Sequence, residues 1–141
     1  TSGGSIRLDD CHGPVDVETS GGSITMGRVA GPVIAHTSGG SITVQAVMGR
    51  IDASTSGGSI KATLTHQPQD DCRLRTSGGS ITVHLPAAVR LSIDAHTSGG
   101  KVYSDFSHGE KPGRSLKADV NGGGPELHLK TSGGSIYIKT D

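Results

Sequence analysis

The sequence predicts an all-β protein, a parallel β-solenoid of about seven coils with two strands in each coil. The first observation is a repeated hexapeptide: TSGGSI begins at residues 1, 19, 37, 55, 76 and 131, and the variant TSGGKV begins at residue 97. The second is the short spacing, mostly 18 or 21 residues between motif starts, whereas helical repeats need about 33 or more. The third is the alternation of apolar and polar residues between motifs, which is typical of half-buried strands.

Composition limits the function classes. The chain has 141 residues, enough for one domain over 1–141, and its 13 basic and 13 acidic residues cancel. A neutral chain with 2% aromatic residues has neither the charge nor the stacking platforms for nucleic acid, so we expect no nucleic-acid partner. No apolar run approaches about 18 residues, so we expect no direct insertion into a membrane.

The first strand of each coil follows the TSGG motif. In the third coil, Ile42 and Val44 are apolar while Thr43 and Gln45 are polar, which gives one buried and one exposed face. Aligning the coils predicts a core ladder formed by the residue that follows TSGGS or TSGGK. Its members are Ile6, Ile24, Ile42, Ile60, Ile81, Val102 and Ile136.

The second strand of each coil shows the same alternation. Its inward positions hold Val15, Val33, Ile51, Cys72 and Ile93, one in each of the first five coils. Its outward positions are mainly charged, so this strand also has one buried and one solvated face. The two inward ladders together predict a thin core of small side chains between two sheets, which accounts for the lack of large aromatic residues.

The turns are of two kinds. We expect the SGG corner to use two glycines with positive φ, because glycine takes that conformation without steric cost. The expected turn glycines are Gly3, Gly4, Gly21, Gly22, Gly39, Gly40, Gly57, Gly58, Gly78, Gly79, Gly99, Gly100, Gly133 and Gly134. Gly-Pro at residues 13–14 and 31–32 marks the second, looser turn. We expect right-handed coils of 18–21 residues.

The last part of the chain is less regular. The sequence SHGEKPGRS at 107–115 predicts an inserted loop on the second turn. At 121–141, NGGG looks like a degenerate TSGG motif ten residues before the last one, so we expect an irregular terminal coil in which PELHLK is half a coil. A terminal hairpin around NGGG is the alternative.

The two cysteines, Cys11 and Cys72, belong to coils one and four. Three rungs of about 4.8 Å separate them, which is too far for a disulfide. Both occupy positions that hold apolar residues in other coils, so we expect two buried thiols.

The repeat favours neither calcium binding nor ice binding. An 18-residue calcium-binding roll needs an Asp after the glycines, and here Ser, Ile and Thr follow them. Thr25, Thr43 and Thr82 share an outward column that is compatible with ice binding, but large side chains interrupt it. These are Arg7, Lys61, Tyr103 and Tyr137.

A metal or cofactor site is not expected either. The residues before each TSGG form a column of Glu18, His36, Ser54, Arg75, His96 and Lys130. Glu18 and His36 are neighbours in it, but a metal site needs three or four converging ligands. His12, His66, His84, His108 and His128 fall on turns or outward positions without ligand spacing.

Catalysis is not expected. A catalytic residue is usually unique and supported in a cleft, whereas the motif serine is repeated. The residues nearest to a polysaccharide-cleaving set are Asp16, Asp52, Arg73 and Asp94 on the outward face of the second strands. Asp16 and Asp52 lie two coils apart with Ile34 between them, at about 10 Å on the rung spacing. The sequence therefore predicts no enzyme and no catalytic or cofactor-binding residue.

The repeated TSGGSI, the following alternating strand, and the ending GGGPELHLKTSGGSIYI resemble the bacterial putative adhesin family of β-strand-repeat domains. The resemblance covers essentially the whole chain and is specific for architecture, because that family has no catalytic residues to carry over. Bactofilins, which are polymerising cytoskeletal solenoids, are the related alternative, although they lack the TSGG hexapeptide.

These observations predict a non-enzymatic structural or adhesive solenoid, extracellular or on a bacterial cell surface. The chain starts on a full repeat and ends close to one. Either flanking sequence has been removed or the ends pair with neighbours, and in the second case we expect end-to-end self-association into a filament. The alternative is a monomeric module that binds a glycan or a cell-surface protein through the 107–115 loop and the face carrying Tyr103 and Tyr137.

Overall fold

The computed structural model describes residues 3–47, 50–64, 72–85, 90–104, 115–120, 122 and 124–140. These residues form fourteen strands. None of them belongs to a helix long and apolar enough to cross a lipid bilayer. The strands are β1 (Ile6–Cys11), β2 (Val15–Thr19), β3 (Ile24–Val29), β4 (Val33–Thr37), β5 (Ile42–Val47), β6 (Ile51–Thr55), β7 (Ile60–Leu64), β8 (Cys72–Thr76), β9 (Ile81–Leu85), β10 (Leu91–Thr97), β11 (Val102–Ser104), β12 (Ser115–Val120), β13 (Glu126–Thr131) and β14 (Ile136–Thr140).

The strands form two sheets of seven strands each. The first sheet has the order β1-β3-β5-β7-β9-β14-β11 and all its pairs are parallel. The second has the order β12-β10-β13-β8-β6-β4-β2, and in it only the pair of β10 and β12 is antiparallel. The predicted all-β parallel solenoid with two strands in each coil is therefore confirmed.

Equivalent residues of successive coils lie opposite one another, so each column of the sequence is a ladder in space. Ile24 pairs with Ile6 on one side and with Ile42 on the other. The side chains of Ile24, Ile42, Ile60, Ile81 and Ile136 are all at most 1% exposed, and Val102 is 4% exposed. Ile6 is partly buried against this core. Fully burying an Ile contributes about 1.5–3 kcal/mol, so the ladder is a main source of stability.

The last coil, formed by β13 and β14 and here called the inserted coil, lies inside the stack instead of at its end. The strand β13 pairs with β8 on one side and β10 on the other, and β14 lies likewise between β9 and β11. Leu129 is thus opposite Leu74 and Ala95. The spatial order of the coils therefore differs from their order in the chain. PELHLK supplies one strand, β13, and β14 supplies the other strand of that coil.

The strand β12 follows the predicted 107–115 loop. Residues 107–114 of that loop lie outside the described residues, and Ser115 begins β12. The order β12-β10-β13 puts β10 between β12 and β13. A hairpin around NGGG would pair β12 with β13 directly, so that alternative is wrong.

The threonine of each TSGG motif that the structure describes is a buried polar residue that joins neighbouring coils. The Thr55 hydroxyl donates to the Gly40 carbonyl at 2.8 Å and accepts from the Gly58 amide at 3.3 Å. The same two hydrogen bonds occur at every described motif threonine, namely Thr19, Thr37, Thr55, Thr76, Thr97 and Thr131. Because a buried hydroxyl needs a partner, these bonds allow a threonine at the edge of the core.

The second glycine of the motif is required by close packing and not by positive φ, which corrects the expectation from the sequence. Among the described glycines only Gly13 and Gly122 have a φ in the left-handed region. A Cβ on Gly40 would instead lie 2.1 Å from the Gly22 carbonyl oxygen. The same contact, at 2.0–2.3 Å, recurs at Gly22, Gly58, Gly79, Gly100 and Gly134.

Cys72 is buried, with 0% exposure, and is in no disulfide. It lies opposite Leu127 of the inserted coil, in the inward ladder of the second sheet. The prediction of a buried thiol is therefore confirmed for Cys72. The side chain of Cys11 lies outside the described residues, while its backbone pairs with Val29.

Candidate binding surfaces

Insertion of the last coil creates a charged outer surface on the second sheet, here called the β10–β13 face. Along one row, Arg73, His128, Asp94 and Lys117 lie on successive strands in register. Along the next row, Arg75, Lys130, His96 and Ser115 do the same. The face is completed by Ser92, Asp119 and Glu126.

Three side chains of this face converge. Glu126 and His128 are two residues apart on β13 and therefore point to the same side, while Asp94 is opposite His128 on β10. The Nε2 atom of His128 is 3.0 Å from Oε1 of Glu126, and its Nδ1 atom is 3.7 Å from Oδ2 of Asp94. The three side chains are only 32–44% exposed. The imidazole therefore lies between two carboxylates.

A cleft of about 220 Å³ opens beside two of these side chains. Its polar lining comes from Ser92, Asp94, Lys117, Asp119 and Glu126. The Ser92 hydroxyl donates to Oδ1 of Asp119 at 2.9 Å, which links β10 to β12. A second cleft, of about 490 Å³, shares Asp94 and Lys117 with the first and is lined in addition by His128 and by basic side chains, namely Arg73, Arg75, His96 and Lys130. Ions or polar ligands thus have room next to all three converging side chains.

The residues nearest to a catalytic set in the sequence are not brought together. Asp52 is opposite Arg73, and Ile34 lies between Asp16 and Asp52, as the column predicts. Asp94 is separated from Arg73 by His128 of the inserted coil. These four side chains therefore lie along the outer face with Ile34 and His128 between them, and they do not converge on one point.

The column of residues before each TSGG is also reordered. The structure places Lys130 between Arg75 and His96, which are neighbours in the column when the coils are taken in chain order. The cations Arg75 and Lys130 are therefore adjacent. Glu18 and His36 are neighbours, as expected. Ser54 follows His36 and precedes Arg75. The column is thus mixed at one end and basic at the other.

The outer face of the first sheet carries a different feature near the same end of the stack. Tyr103 and Tyr137 lie in register on β11 and β14, with ring centroids 5.2 Å apart and ring planes within 7° of parallel. Their exposures are 39% and 37%. Apart from Ile34, no other large hydrophobic side chain is exposed among the residues that the structure describes. The pair forms an aromatic patch on an otherwise polar face.

The fold and its repeats identify the family. A comparison with protein families matches residues 1–139 to the family described as Toastrack DUF4097. The chain belongs to the Toastrack family. This is a family of β-strand repeat domains of unknown function, so the repeat-domain part of the resemblance is confirmed. Searches of curated proteins and of solved structures found no match.

In this Toastrack domain, sequence reasoning missed the meeting of Asp94, Glu126 and His128. The alternation in PELHLK shows that Glu126 and His128 share a face with each other. The local sequence does not show that this strand pairs with β10, because the TSGG corners are alike and any coil could stack on any other. His128 lies opposite Asp94 only because of the order of the strands in this domain.

Proposed function

We propose that this Toastrack domain is a non-enzymatic structural solenoid that adheres to a glycan on the outside of a bacterial cell. The observation that carries the proposal is the exposed tyrosine pair, Tyr103 and Tyr137, on a rigid and otherwise polar sheet. The parallel ladders make the sheet a stiff support, so the two rings are held in place before a ligand arrives. Such preorganisation lowers the entropic cost of binding.

The geometry of the pair suits a sugar ring. One face of each tyrosine is covered by the other ring. Among the described residues β11 pairs with β14 alone, so no described strand covers the far side of Tyr103. An apolar ring face with a hydroxyl at its tip matches the apolar faces and hydroxyl rim of a pyranose. Thr82, in register with Tyr137, adds a hydroxyl to the same face.

The size of the patch favours a glycan over a protein. A stable protein interface covers about 800 Å² on each partner and usually centres on buried anchor residues. Two side chains that are each less than two-fifths exposed offer far less area than that. They match one or two sugar units, and repeated copies on a cell surface would raise the overall avidity.

A glycan array tests this proposal. We expect the purified domain to bind a subset of glycans, and Tyr103→Ala to weaken that binding at least tenfold. The matched control is Ile34→Ala, which removes an equally exposed apolar side chain, 40% exposed, from the other sheet. The tyrosine pair also stabilises the sheet by about 0.2–1 kcal/mol, so thermal melts must show that each variant is folded.

The glycan proposal would be wrong if no glycan bound, or if Tyr103→Ala bound as well as the parent domain. Loss of binding to a cell-surface protein with unchanged glycan binding would show that the patch serves a protein partner. The proposed location is tested separately by protease treatment of intact cells, which should cleave the domain without lysis.

End-to-end association into a filament is the second candidate function. Among the described residues the edge strands β1 and β2 each pair with one strand, and a sheet edge of this kind is a template for a parallel neighbour. At the other end of the second sheet the edge strand is the antiparallel β12, so a parallel neighbour would have to displace it or add to the first sheet alone. Negative-stain electron microscopy at high concentration tests the idea, and short uniform rods would exclude it.

A further inference from the structure

We propose that Asp94, Glu126 and His128 form a binding site for a divalent transition-metal ion, with zinc as its representative. One possible ligand atom from each of the three side chains lies within 4.8 Å of the others. They come from two neighbouring strands, β10 and β13, whose backbones are fixed by six register pairs. A set of donors on rigid strands is held far more closely than one on loops.

The donor chemistry favours zinc over calcium or magnesium. Zinc accepts one imidazole nitrogen and carboxylate oxygens at about 2.0–2.2 Å, usually in a tetrahedral arrangement. Calcium and magnesium prefer oxygen ligands alone. Donor atoms around a tetrahedral zinc ion lie about 3–3.5 Å apart on these bond lengths. The 3.0 Å between Nε2 of His128 and Oε1 of Glu126 falls in that range, while Oδ2 of Asp94 lies 3.7 Å from the other ring nitrogen, Nδ1.

The partial exposure of the three side chains lets the set close around an ion. His128 has a carboxylate beside each ring nitrogen, whereas a single ion takes one of the two nitrogens. The side chains of Asp94 and Glu126 are 32% and 44% exposed, so both carboxylates have room to turn toward one nitrogen, and one donor atom of each residue already lies within 4.8 Å of the others. The neighbouring cleft of about 220 Å³ has space for water molecules that complete the coordination.

Two neighbouring cations, Lys117 and Arg73, should lower the affinity of the site for a metal ion. Lys117 is opposite Asp94 and Arg73 is opposite His128 in the same row. Lys117 also lines the cleft beside Asp94 and Glu126. Their positive charges repel a divalent ion, so the wild-type site should bind more weakly than a closed structural zinc site. Replacing Lys117 with methionine removes the charge, leaves an unbranched side chain one atom shorter, and should tighten binding.

The site has a consequence for the inserted coil. Asp94 is on β10 and the other two ligands are on β13, so the three residues meet only when the last coil lies in its place in the stack. An ion that binds this arrangement and not the unfolded chain stabilises it by mass action. Zinc would thus fasten the inserted coil to β10.

The experiment is a zinc titration of the chelator-treated domain by calorimetry, together with the visible spectrum of the cobalt-substituted protein. We expect one ion per chain, a higher melting temperature with zinc, and a cobalt absorption band that depends on His128. His128→Gln and Asp94→Asn should each weaken zinc binding at least tenfold, and Lys117→Met should strengthen it severalfold. Melting curves without metal confirm that the variants are folded.

The matched control is His84→Gln. His84 is also half-buried and outward, but it is on the first sheet between Thr63 and Lys139, so its loss should leave zinc binding unchanged. The proposal would be overturned by the absence of saturable binding, by undiminished binding in His128→Gln, or by an equal loss in His84→Gln. None of these results bears on the tyrosine pair of the opposite sheet.

Discussion

At the scale of single residues, each position of TSGGS has its own task. The threonine hydroxyl lies inside and donates a hydrogen bond to the preceding coil of the stack, as Thr55 does to Gly40. The first serine is exposed at every described motif, and the second serine accepts from the next coil, as Ser41 does from the Ser59 amide at 3.4 Å. The second glycine admits the neighbouring backbone. The motif is therefore repeated because every coil must make the same contacts with the one before it.

The two glycines of one motif should respond differently to substitution. In Gly40→Ala the new Cβ would meet the Gly22 carbonyl oxygen at 2.1 Å, whereas in Gly39→Ala the nearest atom is 3.7 Å away. We expect Gly40→Ala to lower the free energy of unfolding by about 1–3 kcal/mol, because the backbone must move apart. Gly39→Ala should change it by less than about 0.5 kcal/mol. Urea denaturation of both variants measures the difference, and equal effects would contradict the close-packing explanation.

At the scale of elements, the inserted coil is the main departure from chain order. The corner glycines follow the same order, since Gly134 packs on Gly79 and Gly100 packs on Gly134. The inserted coil therefore takes the same place in the stack at the corner and in both sheets. On the far side of β10 lies the antiparallel strand β12, which covers an edge that would otherwise be open to another chain.

Cysteine cross-linking should detect this order directly. Arg75 and Lys130 are in register on adjacent parallel strands, so their Cα atoms are about 4.8 Å apart, within the range of a disulfide. We expect the double variant Arg75→Cys, Lys130→Cys to form a disulfide under mild oxidation. Peptide mass spectrometry identifies the bridge and separates it from any that involve the natural cysteines.

The control for this cross-link is the pair Arg75→Cys, His96→Cys. In the observed order Lys130 lies between these residues, so they are two rungs or about 9.6 Å apart and should not bridge. Stacking in chain order would make them neighbours. A bridge between residues 75 and 96, with none between 75 and 130, would disprove the insertion.

Sequence patterns could predict the coils but not their spatial order. Ile24, Ile42 and Ile60 follow identical corners and show the alternation of a half-buried strand, so their inward ladder is a local property. Which coil touches β10 is not local, because the corner before Ile136 has the same form as the corner before Ile81. The meeting of His128 with Asp94 depends on that choice. The strand β12 has no motif before it, so it was not predicted.

At the scale of the whole molecule, the stack is nearly one-dimensional. Each coil contacts the coils above and below it, so stability is close to a sum of coil and neighbour terms. The core is complete in the middle and thinner at the β1 end. There Ile6, Leu8 and Val17 are only partly buried, while Ile42 and Val44 are at most 1% exposed.

Hydrogen exchange should therefore be graded along the stack. We expect amides of β1 and β2 to exchange fastest among the regular coils, and those of β5 to β8 to exchange slowest. The reason is that a terminal coil loses one neighbour interface on opening, and a central coil loses two. Exchange followed by NMR or mass spectrometry on this chain measures the gradient. Uniform protection from β1 to β9 would show that the stack opens as one unit.

The shared shape of the corners has a consequence for how such a protein can change in length. Gly22, Gly40, Gly58 and Gly79 present the same backbone surface to the next coil and receive the same surface from the one before. A tandem duplication of one 18-residue unit would therefore add a rung without requiring any new kind of contact, whereas the gain or loss of one or two residues would break the ladders on both sheets. Length is thus a property that can vary in whole coils while each coil stays the same.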